Sequence, residues 1–229
     1  MSHYLGGAAL LLALLLPQPA GQAQNSSVDL ALVLAVDCSF SVDAVEFRLQ
    51  MDGLGRAFLH PEIKKAIRAG YHQRIAVVVM QWSDEGNQMV VLPWTIVAGD
   101  ADAEEVGSIL AAMPRRLAEG GTSISTALVY GQALFDTAPP SERRVIDVSS
   151  DGRNNIGPPV DAARDRVVAS GTTINALAIL NEWPTLDIYF EEQVAGGEGH
   201  FVIPANDYEA YSEAIYRKLL KEITGPGIS

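Results

Sequence analysis

Three short segments of this chain place small oxygen-bearing side chains where they could hold a hard cation. The first is Asp37-Cys38-Ser39-Phe40-Ser41, directly after the apolar run 30–36. One carboxylate and two hydroxyls recur there at every second position. The second is Gly120-Gly121-Thr122-Ser123. The third is Ser149-Ser150-Asp151-Gly152, which follows Val145-Ile146-Asp147-Val148. Carboxylate and hydroxyl oxygens suit Mg²⁺, Mn²⁺ or Ca²⁺ better than Zn²⁺. The candidate ligands are Asp37, Ser39, Ser41, Thr122 and Asp151. Two carboxylates with three hydroxyls fit a Mg²⁺ site that retains waters better than a Ca²⁺ cage.

Each segment alone is a weak signal. Asp and Ser are ordinary helix caps, and Thr122 or Ser123 could cap the helix that follows. Asp151-Gly152 is a turn signal wherever it occurs. Their force lies in their order, each at a strand end or a helix start. Asp43 reads as the cap of the first helix, Asp147 as a structural carboxylate inside its strand, and Arg153-Asn154-Asn155 as a solvated loop. Other chemistries find less support. The four histidines (His3, His60, His72, His200) are scattered, with no cysteine set for zinc. No nucleophile elbow and no phosphate-cradling loop is present. Cys38 is the one cysteine, so no intrachain disulfide can form, and it reads as an inert buried thiol.

The elements that would position these residues alternate. Continuous apolar runs at 30–36, 75–80, 145–148 and 174–180 suit strands covered on both faces. Between them lie helical stripes: Phe47, Met51, Leu54 and Phe58; Val106, Ile109, Leu110 and Met113; Ile124, Leu128, Gly131 and Phe135; Tyr208, Tyr211, Ile215 and Leu219. Alternation of this kind predicts a doubly wound α/β fold with helices on both faces of a mostly parallel sheet, six-stranded here. The strands at 75–82 and 89–97 are separated by six residues, too few for a parallel crossover, so they form an antiparallel hairpin. Pro93 places the second of them at an edge.

The 229 residues are 48% apolar, enough to bury a sizeable core in one domain. A formal charge of −12 argues against nucleic-acid binding, which needs clustered Lys and Arg. Residues 1–23 read as a secretory signal with an apolar core from Ala8 to Leu16, a break at Pro17 and Ala23 at the cleavage position. Residues 24–27 follow as a linker, 28–223 as the domain and 224–229 as a flexible tail. No second apolar stretch predicts a membrane span in the mature chain.

The ordered set Asp37, Ser39, Ser41, Thr122 and Asp151 resembles the metal-ion-dependent adhesion site of von Willebrand factor A domains. The family pattern is Asp-x-Ser-x-Ser, a distant Thr, then an Asp often followed by Gly. The likeness covers about residues 28–223 and is strongest to the small exported bacterial branch. It implies a Rossmann-like sheet and an ion held directly by Ser39 and Ser41, by Thr122 in one conformation, and through waters by Asp37 and Asp151. It further implies a non-enzymatic module, periplasmic or secreted, whose Mg²⁺ (or Mn²⁺ or Ca²⁺) takes an Asp or Glu carboxylate from an unknown protein partner. Two rivals stay open: a metal-assisted hydrolase or phosphatase at the same crevice, and a metal-free envelope scaffold in which the motif residues are caps.

Overall fold

The computed structural model describes residues 27–225 of the chain. The signal and most of the linker expected at 1–26, and the tail at 226–229, lie outside the described residues. Six strands form one sheet: β1 (Val28–Asp37), β2 (Ile75–Trp82), β3 (Gln88–Val97), β4 (Ser141–Ser150), β5 (Thr173–Ile179) and β6 (Val202–Ala205), in the order β3-β2-β1-β4-β5-β6. All neighbours are parallel except β2 and β3. The fold is the expected doubly wound α/β sheet with one antiparallel edge strand.

The helices are α1 (Ala44–Leu59), α2 (Pro61–Ala69), α3 (Asp100–Ala112), α4 (Ile124–Leu134), α5 (Val160–Ala169), α6 (Leu186–Tyr189) and α7 (Tyr211–Thr224). Strand β1 explains the layering. Its Leu30, Leu32, Leu34 and Val36 join the core under α1, α3 and α7, while Ala31, Val33 and Ala35 join the core under α4, α5 and α6. Both faces are buried, so the strand is apolar at nearly every position rather than at alternate ones. Truncating a buried residue such as Leu32 to Ala would cost about 2–5 kcal/mol.

The edge strand shows why the hairpin was readable. Pro93 cannot donate to a ladder, and the β2–β3 register slips on either side of Val79, with β3 carrying the extra residues around Pro93. The stripes of α1, α3 and α4 are core-facing as expected, with Ile109 only partly buried. Phe135 lies one residue past α4, in a short 3₁₀ turn.

Three helices, α2, α5 and α6, carry stripes too short to stand out in the sequence; α2, for example, buries only Ile63 and Ile67. The last stripe also departs from expectation at one point. Tyr208 precedes α7 rather than opening it, and its side chain turns to the end of β4.

The chain runs from β1 outward to β2 on one side and starts β4 on the other. The sheet therefore has its topological switch point between β1 and β4, beyond whose carboxyl ends a crevice opens. Asp37 ends β1, and Asp151 follows the last residue of β4.

Candidate metal centre

The first loop leaves the sheet in a tight turn. Cys38 extends the ladder by donating its N–H to the Trp82 carbonyl at 2.8 Å. The Ser39 N–H then donates to Asp37 Oδ1 at 2.6 Å, a side-chain-closed turn of the kind Asp favours. Arg115, from the α3–α4 connection, clamps this turn from beneath. Its guanidinium donates to the carbonyls of Val42 at 2.7 Å, Cys38 at 2.7 Å and Ser39 at 3.1 Å.

Helix α1 is capped by Asp43, which accepts from Val45 and Glu46 N–H groups while Glu46 reaches back to Asp43 N–H. Ser39 and Ser41 are thereby released from capping. The Ser41 hydroxyl donates to Asp151 Oδ1 at 2.6 Å, and the Ser39 and Ser41 hydroxyls are 3.3 Å apart.

The second loop is compact because it has no room for side chains. A Cβ on Gly120 would stand 2.9 Å from Asp84 Cβ, and one on Gly121 would stand 2.8 Å from Ile156 Cγ2. The loop carbonyl of Gly120 accepts the Phe40 N–H at 2.8 Å, tying the first loop to the second. Thr122 is held by Asn155: its N–H donates to Asn155 Oδ1 at 2.9 Å, and the Asn155 N–H donates to the Thr122 carbonyl at 3.0 Å. Asn154 Oδ1 accepts from Ser125 N–H at 3.1 Å at the start of α4. Asn154 and Asn155 thus brace the second loop against the third, which no local sequence signal announces. Ser123 sits at the cap position of α4 but makes no side-chain capping bond.

In the third loop the Ser150 hydroxyl donates to Asp37 Oδ2 and receives the Gly152 N–H at 3.1 Å. Tyr208 donates its phenol O–H to Asp151 Oδ2 at 2.9 Å. Asp37, Ser39, Ser41 and Asp151 therefore form one hydrogen-bonded group. Thr122 lines the same cleft, its hydroxyl against Gly152, without bonding to the other four. Besides Asn154 and Asn155, sequence reasoning missed Arg115 and Tyr208, which act through main-chain carbonyls and a phenol that carry no motif of their own.

Electrostatics make this group unusual. Asp37 and Asp151 are both fully buried, and among the described residues neither has an ion-pair partner. Burial, then repulsion from Asp151, pushes the Asp37 carboxyl up to about 7, against hydrogen bonds from Ser150 and Ser39 that lower it. Burial also raises Asp151, opposed by its bonds from Ser41 and Tyr208. The same burial pushes the Cys38 thiol up to about 12, which keeps it unreactive. Two carboxylates that resist ionisation and lack a basic neighbour fit a cation supplied from solution. Among the described residues no three His, Cys, Asp or Glu side chains converge, so any ion here relies on hydroxyls. The donors are hard oxygens, which fit a small divalent ion.

The cleft above these residues has a volume of about 730 Å³. The fold is that of von Willebrand factor A domains. Among solved structures, the chain aligns with proximal thread matrix protein 1 of the mussel byssus, in a form with a zinc-occupied MIDAS motif, at TM-score 0.65 and 17% identity over 86% of this chain and 48% of that one. It aligns with the pilus adhesin SpaC of Lactobacillus rhamnosus GG at TM-score 0.62 and 15% identity, over 86% and 31%. It aligns with a von Willebrand factor type A protein of Catenulispora acidiphila at TM-score 0.59 and 18% identity, over 89% and 44%. The chain thus spans less than half the length of each of these three. No curated protein matches its sequence significantly. The chain belongs to the family described as "Protein of unknown function (DUF1194)", whose profile matches residues 27–227.

Proposed function

We propose that this chain is an exported protein-binding module that engages its partner through a divalent cation, Mg²⁺ foremost, and that it performs no catalysis. The observation that carries the reading is the buried Asp37–Asp151 pair, linked through Ser39 and Ser41 and, among the described residues, without an ion-pair partner. Ser39, Ser41 and Thr122 would hold the ion directly, with Asp37 and Asp151 acting through waters. A bound divalent ion supplies an electrophilic centre able to accept a carboxylate oxygen from a partner.

The chain's own residues do the rest. Arg115 holds the first loop in place, Asn155 holds Thr122 at the rim, and Tyr208 orients Asp151. With Asp37 and Asp151 acting through waters, few carboxylates would contact the ion directly, and its charge would stay available to a partner, which favours binding over hydrolysis. Export is supported by the signal-like residues 1–23 and by the pilus adhesin and byssus protein among the structural relatives.

The test is calorimetric titration with Mg²⁺, Mn²⁺ and Zn²⁺ beside the Asp151→Ala variant. One-site binding that the folded variant loses is the expected result. Absence of binding by the wild type would overturn the reading and leave the scaffold alternative.

A further inference from the structure

The wall of the metal cleft is as unusual as its floor. Three large apolar side chains stand exposed around it: Phe40 at 76%, Trp183 at 48% and Ile156 at 37%. Phe40 comes from the first loop, Ile156 packs on Gly121 of the second, and Trp183 follows β5. Side chains from three separate loops thus present apolar surface about one point. Isolated exposed hydrophobics are common, but a cluster at a cleft mouth marks a contact surface.

Between them stands one organised cation. The Arg153 guanidinium lies 5.0 Å from the Trp183 ring centroid and 5.3 Å from that of Tyr189, and it donates to Thr185 Oγ1 at 3.0 Å. Those contacts hold the fork in place before any ligand arrives. Its Nε is buried without a hydrogen-bond partner, and among the described residues no carboxylate pairs with it. Among the described residues Arg153 is also the one basic residue lining the cleft, on a chain of formal charge −12. Glu46 and Glu182 act on the field at Asp151 and make the remaining rim acidic.

We infer that the cleft recognises an acidic protein segment at three points: one carboxylate at the metal, a second acidic group on Arg153, and an apolar side chain between Phe40 and Trp183. This inference rests on the metal-dependent reading above and adds the specificity to it. A partner with one carboxylate alone would meet the acidic rim without compensation. A basic or purely apolar partner would leave Arg153 desolvated and unpaired.

The probe is a set of labelled peptides, acetyl-X-Asp-(Gly)n-Z-amide, with X as Phe, Leu or Ser, Z as Asp or Asn, and n from one to three. Binding is read by fluorescence polarisation of the labelled peptide in saturating Mg²⁺. Peptides with X as Phe or Leu and Z as Asp are expected to bind tightest. Arg153→Gln should remove the advantage of Asp over Asn at Z, about fivefold for a rim charge, and leave the preference at X. Phe40→Ser should do the reverse. Both variants should keep the wild-type Mg²⁺ isotherm, because neither supplies a ligand.

Equal binding across X and Z, or no peptide retained at all, overturns the inference. If the Mg²⁺ isotherm survives in that case, the metal site stands without this specificity. If the isotherm is absent too, the metal-dependent reading has itself failed.

Discussion

Strand β4 and the residue that follows it carry two buried carboxylates, Asp147 and Asp151, and they solve the same problem in opposite ways. Asp147 lies in mid-strand, opposite Leu34 and Asn175 in the ladder. Asp151 lies four residues on, about 13 Å along an extended chain. Asp147 is matched from within: Lys218 Nζ of α7 approaches it at 2.6 Å and also reaches Glu222 at 2.7 Å, with all three side chains sealed from solvent. Asn175 adds a bond to Glu222 at 3.0 Å. One ammonium faces two carboxyls there, and burial pushes Glu222 up to about 8, so a proton completes the balance at neutral pH. At the other end Asp37 and Asp151 have hydroxyls and a phenol but no ammonium. The lesson is that the chain knows how to neutralise buried carboxylates with its own side chains, and at the sheet's carboxyl edge it does not. That contrast is what supports the proposal of a cation from solution at that edge.

The largest expected effect breaks the internally neutralised pair. Lys218→Met removes the ammonium and leaves two buried carboxyls facing each other, which should destabilise the domain by about 3–5 kcal/mol. Urea unfolding would show it, and a change below about 1 kcal/mol would mean the cluster is already neutral without lysine. The matching manipulation at the other end has the opposite sign. Mg²⁺ at a hundredfold excess over its dissociation constant should stabilise the wild type by about 2.7 kcal/mol. Asp151→Ala should lose that increment, while Lys218→Met should keep it from its lower baseline. If Mg²⁺ stabilised all three proteins equally, the ion would be acting elsewhere.

The pH dependence sharpens the contrast. Glu222 moves from its ordinary 4.5 up to about 8 on folding, so the folded state holds a proton that the unfolded chain has released. The stability linked to it is complete below about 4.5 and is lost as pH rises through about 8. The slope in that window is at most about 1.4 kcal/mol per pH unit for one group. Asp147 and Lys218 face this carboxyl directly, burial together with Asp147 and Glu222 holds the nearby Tyr211 phenol protonated, and Arg143 binds the Glu222 carbonyl. Glu222→Gln should flatten the curve between about pH 5 and 8, measured by urea midpoints in excess Mg²⁺ to hold the metal end constant. An unaltered curve would reassign the proton.

How these two regions looked in the sequence also differs. Asp37, Ser39, Ser41, Thr122 and Asp151 stood out because each follows a strand or precedes a helix, and loops at one sheet edge must converge. The antiparallel edge was equally open to view, through the six-residue gap and Pro93. Lys218 and Glu222 were hidden because a helix buries them against a strand seventy residues earlier, and a lysine four before a glutamate looks like a solvated pair. Arg115 was hidden because its partners are main-chain carbonyls, which any sequence supplies. The segment 153–155 looked like a solvated loop for the same reason, since its role lies in what Asn154 and Asn155 grip.

Tyr208 is the residue that joins the two regions, and its variant gives the smallest and most telling effect. In the sequence it shares the spacing of Tyr211, Ile215 and Leu219 and passes as core. In the fold it stands before α7 and donates to Asp151 Oδ2, while further along the same helix Lys218 holds Asp147. Burial and the two site aspartates hold its phenol protonated well above the usual range, so it remains a donor at any working pH. Tyr208→Phe keeps the ring and deletes the O–H, which should lower stability by about 1 kcal/mol. It should also weaken Mg²⁺ binding by about tenfold, the smaller end of what an outer-sphere partner contributes. Paired calorimetry and urea unfolding separate these readouts. A stability loss with an unchanged Mg²⁺ affinity would make Tyr208 a fastening for α7 alone, with no part in orienting Asp151.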